Sequence, residues 1–328
     1  MTLTTVIISY NTRELTLACL RTLFEQTGAG TTDVVVLDNA SQDGSAEAVA
    51  REFPNVKLIA SGENLGFARA NNEVIKSVYT EYVLLLNPDT EVQGRAIERL
   101  LEFAKANPQY GIFGGRTVFR DGSLNIASCW GQMTPWSLFT RAVGLSSLFK
   151  KSELFNPEAY GAWRRDSVRE VDIVVGCFML MKRSLWNELG GFDLSYWMYG
   201  EEADLCLRAR KLGHRSIICP EAQIMHIVGA SFGQRADKSV LVSKAKATLV
   251  RRHWSPSIVW WGLLMLWLWA FLRRALTATL VLILPGRFAK SAAFWKEVWS
   301  RRADWLGGYS AAAPAQSKSA TSPSPAAA

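Results

Sequence analysis

The sequence predicts an α/β fold, a sheet of mainly parallel strands with crossover helices, followed by a C-terminal helical appendage at a membrane surface. Three observations carry this expectation. Over residues 1–250, short apolar runs rich in β-branched residues alternate with amphipathic stretches, the signature of βα units. The run YVLLLN at 82–87 is apolar on both faces, as a strand in the middle of a parallel or mixed sheet must be. Beyond residue 250 the composition changes to tryptophan, arginine and long aliphatic runs.

The elements follow in order. TTVIISY is a first strand, and TRELTLACLRTLFEQ a helix with Leu15, Cys19, Leu20 and Leu23 at helical spacing and Thr12 placed to cap it. DVVVLDNAS is a second strand, SAEAVAREF a helix, VKLIAS a third strand, GFARANNEVIKSV a helix and EYVLLLN a fourth strand. Pro88 stops that strand, since proline cannot donate to the ladder, and Asp89 is presented just beyond. Residues 129–170 show no clean period, so they read as an irregular functional lid facing an acceptor.

Each of the four strands ends in polar residues. Ser9-Tyr10-Asn11, Asp38-Asn39, Asn64-Leu65-Gly66 and Asn87-Pro88-Asp89 therefore share one edge of one sheet, the edge at which open α/β folds bind ligands. Turn chemistry explains any one cluster; four in succession point to a nucleotide pocket. The glycine-rich fingerprint of a dinucleotide dehydrogenase is missing after the first strand, where SYNTRE stands, and no P-loop signature occurs. A divalent metal on a carboxylate is then the leading way to handle phosphates.

Charge divides the chain. Residues 1–250 hold 27 Lys/Arg against 27 Asp/Glu, whereas 251–305 hold nine against two and eight of the thirteen tryptophans. Two apolar runs there are separated by Arg273-Arg274, and neither reaches the ~20 residues of a confident membrane span. Interfacial insertion or a shallow hairpin on anionic lipid fits, as does a helical pair packed on the preceding domain; no nucleic-acid partner is expected. The boundaries fall at 1–250, 251–306 and 307–328, the last an Ala/Ser/Pro-rich tail expected to be disordered. The five cysteines show neither C-x-x-C nor metal spacing, which argues against a disulfide framework or zinc site and fits a reducing cytoplasm.

VIISYN, VVLDNASQDGS, ENLGFARANN, LLLNPDT, VVGCFMLMKRSLWNELGGFD and YGEEADLCLRARKLGH occur in this order across about residues 3–235. Together they resemble the family 2 glycosyltransferases of GT-A fold, and most of all their rhamnosyltransferase-like branch. The resemblance implies a single mixed, mostly parallel sheet flanked by helices, and an inverting transfer from a nucleoside-diphosphate sugar to a saccharide or lipid-linked acceptor in cell-surface polysaccharide synthesis. It implies that Ser9, Asn11, Asp38 and Asn39 line the nucleoside pocket, with Asn64, Gly66 and Asn71 supporting the donor. Asp89 would be the metal-contacting carboxylate, for Mg2+ or Mn2+, with Asn87 standing where the family's motif has its first Asp, and His226 matches a position that reaches the metal or diphosphate. The favoured donor is deoxythymidine-diphosphate rhamnose (dTDP-rhamnose), with a UDP-sugar possible.

Glu201 and Glu202 open a helix whose packing face is Leu205, Ala209 and Leu212, and acidic residues in a first turn also complement the helix dipole. By resemblance Glu202 is the catalytic base, with Glu201 as its rival. Trp197 and Tyr199 in the loop FDLSYWMYG, together with Asp204, are expected on the acceptor side; Asp204 could equally form an i,i+4 pair with Arg208. Asp193 is a turn residue or an acceptor contact. The expected location is the cytoplasmic face of the inner or plasma membrane, peripheral or shallowly inserted. The alternative class is a catalytically inactive sugar-nucleotide or glycan-binding module at a membrane.

Overall fold

The computed structural model describes residues 2–227 and 235–310, and its core is the expected α/β sheet. β1 (Leu3–Ser9), α1 (Arg13–Gln26), β2 (Asp33–Asp38), α2 (Ser45–Glu52), β3 (Lys57–Ala60), α3 (Gly66–Lys76) and β4 (Tyr82–Leu86) alternate as the apolar periods require. The four strands pair in parallel in the order β3-β2-β1-β4, so their carboxyl ends form one rim. All five residues of β4 are buried. Alternate residues of β1 and β4 serve opposite faces: Leu3, Ile7, Leu84 and Leu86 in one core, Val6, Ile8, Val83 and Leu85 in the other.

The second half makes the sheet mixed. It comprises β5 (Thr90–Val92), α4 (Ala96–Ala106), β6 (Tyr110–Val118), β7 (Leu124–Asn125), β8 (Cys129–Trp130), α5 (Pro135–Ala142), α6 (Leu145–Leu148), β9 (Arg169–Val171), β10 (Ile173–Val174), β11 (Phe178–Lys182), α7 (Arg183–Leu189), α8 (Glu201–Lys211) and β12 (Arg215–His226). The full order is β3-β2-β1-β4-β11-β6-β12-β5, with β7 beside β6, β9 beside β12, and a separate ribbon of β8 and β10. β11 runs antiparallel to both β4 and β6. This reversal returns the β10–β11 turn to the rim where β4 ends.

Residues 129–170 are more ordered than expected. Thr134 and Ser137 cap α5 reciprocally, at 3.0 and 2.9 Å. Arg165, wholly buried, donates to the carbonyls of Ala159 (3.0 Å) and Trp163 (2.7 Å), so the segment is tied down. Leu212, expected to pack, is 52% exposed, because α8 ends at Lys211 and its buried face is Leu205 and Ala209.

The C-terminal part comprises α9 (Arg235–His253), α10 (Pro256–Ile283), α11 (Pro285–Ser300) and α12 (Arg302–Gly307). The proposed boundary at 250 thus falls inside a helix. The two apolar runs form one helix of 28 residues, long and apolar enough by length and composition to cross a membrane. Arg273 does not interrupt it: its guanidinium donates to the carbonyls of Arg141 (3.2 Å), Ala142 (3.4 Å) and Trp269 (3.1 Å), covering the last carbonyls of α5. A third core unites α5, α9, α10 and α12 through Leu138, Val250, Met265 and fully buried Trp305. Of the tail expected from 307, Gly307 closes α12, residues 308–310 are described with Tyr309 docked, and 311–328 lie outside the described residues.

Candidate active site

The rim at the carboxyl ends of β1–β4 is knit by its own polar residues. Asn11, at φ 51°, donates its backbone N–H to Ser41 Oγ (2.9 Å) and accepts from Gln42 N–H at Oδ1 (2.8 Å). Asp38 Oδ2 accepts from Ser41 N–H (3.0 Å), while its Oδ1 is buried without a partner. Asn39 donates to Asn64 Oδ1 (2.9 Å) and accepts from Leu65 N–H (2.7 Å), fixing the turn into α3. Gly66 opens that helix at φ 71°, a conformation glycine alone adopts cheaply. Ser9 lies on the same rim, but its hydroxyl is buried between Thr16 (2.9 Å) and Thr12 (3.2 Å); Asn71 is buried and bonds back to Phe67 O (2.9 Å). Those two side chains hold the rim's shape. Tyr10, 47% exposed, offers a ring on it.

Beyond Pro88 the chain turns into β5, which pairs antiparallel with the end of β12. Thr90 there lies opposite His226. The Asp89 carbonyl accepts from Ile227 N–H (2.9 Å), and Asp89 Oδ1 lies 3.3 Å from His226 Nε2. Burial disfavours charge on His226, yet the Cys177 sulfur and the Asp89 carboxylate outweigh it and raise its pKa to about 10. Its Nδ1 is buried without a partner. A divalent cation whose other ligands come from phosphate oxygens would have to displace the His226 proton before the carboxylate and the neutral imidazole could both hold it. Among the described residues no group of three or more metal-ligating side chains exists.

The acidic pair reaches this place through the turn between β10 and β11. Asn87 N–H donates to Cys177 O (3.1 Å), which seats Gly176-Cys177 against the end of β4. A Cβ on Gly176 would press on the Phe67 ring at 3.3 Å, and it would meet Glu202 Cβ at an ordinary contact distance of 3.9 Å, so Glu202 packs directly beside this turn. Glu202 is half-buried. Burial raises its pKa above the usual carboxylate range, opposed by the backbone N–H groups of Glu202, Gly200 and Ala203 at the helix start. Glu201 is buried with Oε2 unpartnered, and burial followed by the Glu202 charge holds its pKa well above the ordinary value.

The loop before α8 is pinned from several sides. Asn72 makes paired 2.9 Å bonds with the Phe192 backbone, and Arg208 donates to Leu189 O (2.6 Å) and Gly191 O (2.8 Å). Trp197, 47% exposed, packs over Gly66; Tyr199, at φ 67°, immediately precedes Gly200. Asp204, expected on the acceptor side, is buried, with Oδ1 bonded to His253 (2.8 Å) and Oδ2 to Arg208 (2.7 Å). Burial would raise its pKa, but those two partners bring it below the ordinary value. Asp193 accepts from Ser195 N–H (2.8 Å) and pairs with Arg252.

Sequence reasoning passed over Gly176, Arg252 and Tyr309. The VVGC motif was the one signal for the first; the others touch this loop from far along the chain. A cleft of about 660 Å³ bordered by Thr4, Asp33, Lys57 and Thr80 opens at the other end of the strands, away from the acidic pair.

The model of the family described as Glycosyl transferase family 2 matches residues 4–189. N-acetylglucosaminyl-diphospho-decaprenol L-rhamnosyltransferase of Mycobacterium tuberculosis is 31% identical over 247 residues, covering 69% of this chain and 78% of the relative. Rhamnosyltransferase WbbL of Escherichia coli is 28% identical, over 51% of this chain and 62% of its own. The mannosyltransferase of Pyrobaculum calidifontis, solved with GDP-Man and Mn2+, shares the fold at TM-score 0.59 and 18% identity, covering 93% of this chain and 86% of that one.

Proposed function

This chain belongs to glycosyltransferase family 2, and from that premise we propose that it moves rhamnose, with inversion, from dTDP-rhamnose to a lipid-linked saccharide, using Glu202 as the base. It is a nucleotide-sugar-dependent glycosyltransferase of the rhamnosyltransferase type on the GT-A fold. The observation that carries the mechanism is the packing of Glu202 beside Gly176, in the turn whose Cys177 carbonyl is bonded to Asn87 N–H at the end of β4.

The proposed division of labour follows from the contacts. Asp38 Oδ1, an unpartnered acceptor, takes the imide N–H of a thymine or uracil base, and Asn11 with the Asn39–Asn64 pair keeps the surrounding loops in place. Trp197 and Tyr199 wall the acceptor side. The acceptor hydroxyl oxygen attacks the anomeric carbon as the bond to the diphosphate oxygen breaks, and Glu202 takes the hydroxyl proton. Its raised pKa makes it a stronger base than an exposed carboxylate. Asp89 and His226 would hold Mg2+ or Mn2+, which when bound offsets charge on the departing diphosphate.

We place the enzyme on the cytoplasmic face of a membrane, held peripherally by the end of α10. Leu282, Ile283 and Leu284 are 84%, 69% and 47% exposed there, with Arg287 and Lys290 just beyond to meet anionic headgroups. The three-part division into a catalytic domain, a Trp/Arg-rich helical segment and a tail remains our reading, with the first junction moved to the α9–α10 turn near Ser255.

The test is a thermal-shift panel of dTDP, UDP and GDP, each with Mn2+, Mg2+ or EDTA. Binding at 100 times Kd adds about 2.7 kcal/mol, a rise of roughly 2–10 °C in Tm. The proposal expects dTDP with metal to give the largest shift. GDP outranking dTDP would contradict the donor, and equal shifts in EDTA would contradict the metal.

A further inference from the structure

The chain does not end its structural role with α12. Gly308, at φ 74°, lies so close to α9 that a Cβ would come within 2.9 Å of Thr248 Oγ1. Tyr309 then donates its backbone N–H to Thr248 Oγ1 (2.7 Å) and its hydroxyl to the Met198 carbonyl (2.6 Å), 111 residues away in the loop that leads to the acidic pair. The Tyr309 ring meets Tyr196 edge-on at 5.7 Å, and Lys244 Nζ sits 5.5 Å from its centroid. From the other side Arg252 pairs with Asp193, donates to Ser195 Oγ (2.6 Å) and lies over Tyr196 at 5.1 Å. The Gly200 turn, one residue before Glu201, packs so tightly that a Cβ would come within 3.0 Å of Ala245 in α9.

These contacts converge on one short stretch. Left to itself, the backbone from 196 to 200 carries positive φ at Tyr199 and Gly200, a costly geometry for a tyrosine that persists only where the surroundings impose it. Met198 O is one residue from that strained position and three from Glu201.

We propose that Gly308-Tyr309 is a latch on the acceptor loop, and that Tyr309 is a positioning residue for transfer, acting through the Met198 carbonyl to set Glu201-Glu202. This rests on the proposed function, in which Glu202 is the base. Tyr309 touches neither donor nor acceptor; it acts by holding the loop in the one conformation that aims the helix start. The chain just beyond α12 therefore positions the loop before α8.

The test uses the full chain and its Tyr309→Phe and Tyr309→Ala variants. Tyr309→Phe keeps the ring on Tyr196 and loses the bond to Met198; Tyr309→Ala loses both. Amide exchange is followed in peptides covering 193–200, dTDP affinity by calorimetry, and turnover with dTDP-rhamnose and a short-chain N-acetylglucosaminyl diphosphoprenol. For Tyr309→Phe the latch predicts exchange faster and kcat lower, each by roughly 3- to 10-fold, the worth of one hydrogen bond. Tyr309→Ala should lose more, and dTDP affinity should stay within about twofold of wild type in both. Wild-type exchange in 193–200 for Tyr309→Ala overturns the latch. So does a loss of donor affinity in step with kcat and a rise in exchange over the whole chain, which would mark a merely structural role. A wild-type chain inert toward this donor and acceptor overturns the functional reading instead, and the exchange of 193–200 alone then decides the latch.

Discussion

Glu202→Gln is the perturbation whose outcome the site geometry constrains most tightly. Glutamine keeps the length and shape of the side chain, so Phe67 and the Gly176 turn need not move. It also removes a carboxylate whose pKa burial has raised, leaving folding unharmed or slightly favoured. What disappears is the capacity to accept a proton. Positioned general-base catalysis contributes roughly 10²–10⁴-fold, or about 2.7–5.4 kcal/mol at 1.36 kcal/mol per decade, and the raised basicity argues for the upper half of that span. Initial-rate kinetics should therefore show kcat down by at least ~10² with dTDP affinity unchanged, because the proposed role of Glu202 is toward the acceptor hydroxyl and not the nucleotide. In wild type the acid limb of kcat/KM should sit above the ordinary glutamate value of about 4.3, since the base works only deprotonated and activity falls as pH drops through its raised pKa. Were Glu201→Gln to show the large loss and Glu202→Gln less than a few-fold, the assignment would be wrong by one residue. Loss in neither variant would refute carboxylate base catalysis here.

Three further outcomes follow. Asp89→Ala should abolish the metal-dependent part of the dTDP thermal shift, measured from the variant's own ligand-free Tm, which falls with the loss of the Asp89–His226 pair; a retained Mn2+ response would remove Asp89 from the metal site. Gly176→Ala forces Phe67 to give by a few tenths of an ångström beside Glu202, so kcat should fall roughly 3- to 10-fold with dTDP affinity held, and an unchanged kcat would show that this approach does not position the base. Leu282→Asp with Ile283→Asp removes two of the most exposed apolar side chains on α10, each worth roughly 1.5–3 kcal/mol when buried; co-sedimentation with phosphatidylglycerol vesicles should weaken at least about tenfold, and undiminished binding would place the contact elsewhere.

Local signals made the donor half of the site legible. Ser9, Asp38, Asn64 and Asn87 each mark the end of a strand whose apolar run is visible in the sequence, so placing them on one rim needed only the rule that βα units pack in parallel. The reversal at β11 left no such mark, because FMLMK is apolar on both faces whichever way it runs. Without that reversal the role of Gly176 could not be seen. The C-terminal runs looked divided because Arg273-Arg274 is costly inside an apolar helix; carbonyls of α5 more than 130 residues away offset part of that cost at Arg273. Asp204 read as either an acceptor contact or an ion pair, and its second partner, His253, decided for the network. Tyr309 was hidden by its setting, a lone aromatic in an Ala/Ser/Pro-rich stretch whose partners lie 61 and 111 residues back.

The most direct measurement is the product itself. The full chain should be incubated with dTDP-rhamnose, Mg2+ and a short-chain N-acetylglucosaminyl diphosphoprenol, and the new sugar's anomeric configuration read by NMR. In-line displacement with Glu202 as base predicts one rhamnose per acceptor, linked with configuration opposite to that in the donor. Retained configuration, or no transfer from dTDP-rhamnose or any other nucleotide sugar to this acceptor, would contradict the account.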